Sequence, residues 1–292
     1  MATYDALGLL PDGAPGPWGD PVSIRYDQRD VLLYAVGVGV TDLRYVYEGH
    51  PEFSVFPTFP IRWGSIGAPI DDTLIPRSPL PLMIDAERYL SIERPLPLSG
   101  VVVVQSRVIG VHSRGQGNGF VEFETTVSDA EKNVCVRMVN GSFRRGVVSL
   151  GDIEPFVGSG ATYSTKIELP NSPPDVVAKT TIAKNQAHIY RLSGDYNPLH
   201  IDPDAAQFGG FDTPILHGLC TFGHCADLLL EAFCDGDSQR FDKIKMRFSA
   251  PLYPGDTVQL RAWYDGDCRA LFEMCVDNVT VVSNAYFEYH AG

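Results

Sequence analysis

The residues best equipped for chemistry lie in one stretch, Tyr190-Arg191-Leu192-Ser193-Gly194-Asp195-Tyr196-Asn197-Pro198-Leu199-His200. Asp195 supplies a carboxylate that, when ionised, only accepts hydrogen bonds, and His200 an imidazole that titrates near neutral pH. Set around one water, the two form a device for adding or removing water. On a continuous helix their spacing would leave them about 140° apart, unable to share a target. Gly194 and Pro198 remove that obstacle: the glycine can end a helix with a positive φ, and the proline drives Asn197 out of the α region. The segment is therefore expected to turn, bringing Asp195, Asn197 and His200 to one site. A plainer reading fits the same residue types equally well, with Asp195 capping a turn and His200 a satisfied core residue.

His217-Gly218 follows closely and opens a helix with Leu219, Phe222, Ala226, Leu229, Leu230 and Phe233 at spacings of three and four. Backbone N–H groups at such a start point outward with the positive end of the helix dipole. They suit a carbonyl oxygen that gains charge, although an ordinary glycine N-cap reads the same way. His217 is a candidate cap or supporting donor. His217, Cys220 and His224 share a helix face at i, i+3 and i+7, but no second cluster supplies the remaining ligands, so no metal is expected.

The elements that must position these groups come in two series. Residues 1 to 21, rich in Gly, Pro and Asp, read as an irregular arm. A helix capped by Asp27 or Asp30 should follow and end at Gly37. Seven prolines between residues 41 and 81 suit a segment winding over a sheet face; Glu48 lies within it, where a surface or capping role is the ordinary one. Strands are expected over residues 82–92, 101–111, 120–128 and 133–143, joined antiparallel. Arg114 sits in the loop between the second and third, either solvated or placed for a phosphate.

Gly-rich residues 146 to 164 mark a boundary. Beyond it come a helix from Asn185 to Gly194, a short one opened by Asp202-Pro203, the helix at Gly218, and further strands. In the first of these strands Ile244, Met246 and Phe248 alternate with Lys243, Lys245 and Arg247. The fold class is thus α+β: two helix-on-antiparallel-sheet repeats, residues 1–155 and 156–292, whose sheets could pair edge to edge.

Composition narrows the function classes. A formal net charge of -13 argues against nucleic-acid binding. The start has no signal-peptide pattern and no stretch reaches transmembrane length, so an intracellular, soluble protein is expected. The six cysteines form no C-x-x-C pair and read as reduced, mostly buried thiols.

The Tyr190 to His200 motif resembles the signature of the MaoC-like R-specific enoyl-CoA hydratases, and most closely the eukaryotic 2-enoyl-CoA hydratase 2 branch. The similarity extends over nearly everything from Ala35 onward, including residues 45–59, 89–100, 214–223 and 247–255. It implies a double hotdog fold and reversible hydration of trans-2-enoyl-CoA to (3R)-3-hydroxyacyl-CoA without a cofactor. The first repeat would accommodate the acyl chain, the second would carry the catalysis, and a homodimer is implied. By resemblance the catalytic set is Asp195, His200, Asn197, Gly218 and Glu48. Substrate contacts fall to Asp85, Ala86, Arg114, Tyr196, Pro198, Leu199 and Phe248. Asp85-Ala86 departs from the His-Gly that the family places there, which bears on the CoA contact and the substrate range. The resemblance also implies a peroxisomal setting, yet Tyr289-His290-Ala291-Gly292 is no Ser-Lys-Leu type address, which leaves a cytoplasmic location open. A hotdog thioesterase and a non-catalytic acyl-CoA binding protein are the competing readings.

Overall fold

The computed structural model describes residues 16–68, 78, 82–113, 117–146 and 166–292. Ten antiparallel strands form one sheet: β1 (Val22–Tyr26), β2 (Met83–Ile92), β3 (Gly100–Ser113), β4 (Gly119–Ser128), β5 (Val134–Arg144), β6 (Val176–Thr181), β7 (Phe241–Phe248), β8 (Thr257–Tyr264), β9 (Arg269–Val276) and β10 (Val279–Tyr289). Their order, β1-β3-β4-β5-β2-β7-β10-β9-β8-β6, sets five strands of the first repeat beside five of the second, joined where β2 pairs with β7. At that seam Leu90 opposes Met138 on one side and Ile244 on the other, and all three are buried. The two repeats thus share one apolar layer across the join, as edge-to-edge pairing requires.

The longest helix packs on this sheet. α1 (Gln28–Val38), α2 (Leu43–Val46), α3 (Gln186–Tyr190), α4 (Pro203–Phe208) and α5 (Gly218–Cys234) occur in chain order. α5 packs on β6, β7 and β10 and buries Phe222, Ala226, Leu229, Leu230 and Phe233, the stripe read from its spacing. Each large apolar side chain so buried contributes about 1.5–3 kcal/mol. The first repeat has no equivalent long helix among its described residues. Instead a 3-10 turn, Phe59–Trp63, lies inward, and the following Ser65 bonds Thr125 and Asn140 on the sheet. The proline-rich segment, expected to wind over a sheet face without regular structure, carries two short helical pieces in its described part, Leu43–Val46 and Phe59–Trp63, and bonds the sheet at Ser65 and Ile66.

Four expectations need correction. β1 and β6 were not anticipated; they occupy the two outer edges, where one-sided pairing and alternating exposure weaken the apolar pattern. α1 is capped by Asp27 but ends two residues later than expected, at Gly39 in the left-handed region (φ 98°). Gly37 stays helical, and a Cβ there would meet Tyr190 Cα at 3.2 Å, so its bareness serves close packing. The helix expected from Asn185 to Gly194 is α only through Tyr190; Arg191–Ser193 is 3-10, and Gly194 turns at φ 119°. Lys245, which alternates with core residues, is only 1% exposed. Its ammonium donates to the Asn284 carbonyl (2.8 Å) and lies 3.6 Å from Glu87. Burial pulls it down to about 8, with Glu87 opposing. The boundary between residues 155 and 156 lies outside the described residues.

Candidate active site

Gly194 ends the 3-10 turn and releases Asp195 into an extended loop. One Asp195 oxygen, Oδ1, accepts the Asn197 N–H at 3.2 Å, and the Asn197 Oδ1 accepts the Leu199 N–H at 3.1 Å. These side-chain caps nucleate the 3-10 turn Pro198–His200, which returns the chain so that His200 faces the same space as Asp195. Asp195 therefore caps a turn and also lines a cavity; the two readings of its residue type hold together.

His200 is 9% exposed, and its Nδ1 bonds the Ile215 carbonyl at 3.0 Å. A carbonyl only accepts, so the proton is assigned to Nδ1, leaving the Nε2 lone pair for another partner. Burial lowers the His200 pKa below its usual value, opposed by the Asp195 charge and by the Ile215 bond. The imidazole is thus neutral at pH 7. Its ring stacks on that of His217, with centroids 3.9 Å apart and planes at 29°. His217 is fully buried and held at about 4, by burial first and then by His200.

Asp195, Asn197, Leu199, His200, Gly218 and Phe248 line one cavity of about 800 Å³, together with Asp85 and Ala86 from β2. Gly218 is the first residue of α5, whose opening N–H groups have no partner within the helix. Opposite, the β2 register shifts between Asp85 and Glu87, which oppose Ser142 and Gly141, adjacent residues of β5. That bulge gives the two carboxylates different partners. Glu87 pairs with Arg247 and approaches Lys245, whereas Asp85 takes the Arg88 Nε on both oxygens at 2.9 and 2.8 Å. Burial raises the Asp85 pKa; Arg88 opposes this and the Asp195 charge adds to it.

Other anticipated residues lie elsewhere. Glu48 is exposed in the turn after α2 and does not line the cavity. Tyr196 is 59% exposed beneath the Arg191 guanidinium, 4.9 Å from its ring, and Pro198 is exposed as well. Arg114 lies outside the described residues. Three arginines in the cavity wall, Arg88, Arg145 and Arg247, were not singled out by sequence. Arg247 carried a signal, since strand alternation puts its side chain opposite the core set; Arg145, just past β5, carried none.

The His217, Cys220 and His224 set is divided: the Cys220 thiol donates to the Gly37 carbonyl, while His224 packs against Gly39. Potential ligand atoms of Asp195, His200 and His217 lie within 4.8 Å of one another. Imidazole lone pairs lie in the ring plane, however, so two stacked rings do not converge well on a single ion.

Residues 24–146 match the MFE-2 hydratase 2 N-terminal domain, and residues 166–285 the MaoC like domain. The probable enoyl-CoA hydratase 2 of Dictyostelium discoideum is 34% identical over 87% of this chain and 86% of its own length. The chain belongs to the MaoC-like hydratase 2 family. Mouse peroxisomal multifunctional enzyme type 2 is 36% identical over 94% of the chain, which spans 38% of that enzyme's length. A crystal structure of a MaoC-like dehydratase from Phytophthora capsici superposes with a TM-score of 0.84 at 34% identity, covering 94% of this chain and 95% of that one. A Mycobacterium tuberculosis protein described as a double hotdog fold shares the architecture at 14% identity and a TM-score of 0.56. The chain is thus a double hotdog. None of its helices among the described residues is long and apolar enough to cross a membrane.

Proposed function

We propose that the chain hydrates trans-2-enoyl-CoA reversibly to (3R)-3-hydroxyacyl-CoA. The observation that carries this reading is the meeting of Asp195, a neutral His200 and the first turn of α5 on one cavity. A water held between the Asp195 carboxylate and His200 Nε2 adds its oxygen to C3, and a proton reaches C2 from the same side. The Gly218 N–H stabilises the enolate-like thioester oxygen while charge accumulates there. Asn197 holds the loop through its turn bonds. Either member of the pair can be the formal base, because both face the water.

The division of labour follows from which repeat supplies which wall. Residues 156–292 provide the reacting groups, and residues 1–155 provide the β2, β4 and β5 surface along which the acyl chain would lie. The arginines in the wall suit an anionic CoA ester. The reading extends to a homodimer, measurable by light scattering. Glu48 takes no catalytic part in it, being exposed and outside the cavity wall.

Purified protein should bleach the conjugated enoyl-thioester absorbance and yield the 3R alcohol. Release of free CoA thiol instead would identify a thioesterase, and no consumption of any enoyl-CoA would refute the hydratase reading.

A further inference from the structure

His217 is a buried titratable group for which the proposed reaction has no use, yet it touches each part of the site. Its Nε2 bonds the Asp195 backbone carbonyl at 3.2 Å. A carbonyl cannot donate, so Nε2 carries the proton and Nδ1 bears the lone pair, buried without a partner among the described residues. Its ring stacks on His200 at 3.9 Å and leans on Tyr190 at 5.0 Å. Its own carbonyl accepts the Thr221 N–H in the first turn of α5, and the next residue is Gly218.

We infer that His217 is the positioning residue that fixes the Asp195 loop and the His200 ring relative to the Gly218 helix start. The inference rests on the hydratase reading, and its reasoning is geometric. The loop is also tied at its far end by the His200 bond to Ile215, but the other described bonds around Asp195 are local turn bonds, so the His217 N–H is the bond that ties the Asp195 backbone itself to the start of α5. The stacked ring also blocks His200 from swinging away about its Ile215 bond. A hydrocarbon ring would keep the stack and lose the tie. A glutamine amide can place an N–H near the position of Nε2.

His217→Phe and His217→Gln separate these functions in the full chain. His217→Phe should lower kcat about tenfold with KM within about twofold, because the carboxylate is misplaced in the reacting geometry while ester contacts remain. His217→Gln should recover most of that loss, with the two thermal midpoints alike. Wild-type kcat in His217→Phe, or equal losses in both variants, would overturn the inference. Amide hydrogen exchange supplies a readout without turnover. The Asn197 and Leu199 amides should exchange faster in His217→Phe and return towards wild type in His217→Gln. If wild-type protein hydrates nothing, the hydratase reading fails, and the exchange rates alone decide the role of His217; unchanged rates in His217→Phe would reject it.

Discussion

Asp195 and His200 have unlike environments, and the difference is what makes them useful as a pair. Asp195 spends one oxygen on the Asn197 N–H, whereas His200 is held neutral by burial with its Nδ1 proton engaged. Removing either partner should therefore cost far more than a packing change. Asp195→Asn and His200→Ala are each expected to lower kcat by at least ~100-fold in the enoyl-thioester absorbance assay. The pH profile carries a second consequence. Because burial lowers the folded His200 pKa, its imidazole takes up a proton at lower pH than an ordinary histidine, so the His200 limb of the rate profile should lie on the acid side of 6.5. A limb above 6.5 that disappears in His200→Ala would contradict this. Gly218 offers a third test: the nearest atoms a Cβ there would meet are those of the Phe248 ring, from 3.4 Å, close to ordinary contact, so Gly218→Ala should fold. Its methyl would crowd the thioester oxygen, with a rate loss on the order of 10²-fold.

Among the elements, α1 matters more to the site than its position in the first repeat suggests. The Gly37 carbonyl accepts the Gln186 side-chain amide and the Cys220 thiol, joining α1 to both α3 and α5. α5 approaches it so closely that a Cβ on Gly223 would sit 2.6 Å from a Val38 methyl. Val38 is itself fully buried and has little room to give, so Gly223→Ala should cost about 1–3 kcal/mol in chemical denaturation, an overpacking loss. These contacts also show what sequence could convey. The apolar stripe of α5, the turn forced by Gly194 and Pro198, and the four strands β2 to β5 were legible because each follows from a local period or a local steric rule. β1 and β6 were not, since edge strands bury only half a face. The burial of Lys245 was not legible either, because the groups that meet its ammonium, Asn284 and Glu87, lie far away in the chain. Within the site, Asp195, Asn197 and His200 were readable from the loop. The stacked position of His217 and the bulge that separates Asp85 from Glu87 depend on packing between elements and left no local trace.

At the scale of the whole molecule, the join of two sheets builds one cavity from both repeats: reacting groups from the second face a wall from the first. The Asp85–Arg88 pair stands in that wall, and the family resemblance implies His-Gly in place of Asp85-Ala86. The pair sets a carboxylate and a guanidinium in the passage, and Asp85 meets Asp195 through its charge rather than a hydrogen bond. Asp85→His combined with Ala86→Gly should therefore change the relative kcat/KM of short and long enoyl-CoA esters more than the maximal rate; an unchanged preference would mean that the wall does not select substrates. The hydratase reading itself stands or falls on where the oxygen of water goes. A turnover in 18O-labelled water, with crotonyl-CoA as substrate and the product resolved by chirality and mass, tests it most directly. Hydration through Asp195 and His200 predicts one 18O on C3 of a (3R)-3-hydroxybutyryl thioester still attached to CoA. Label in a free carboxylate, with CoA thiol released, would contradict it.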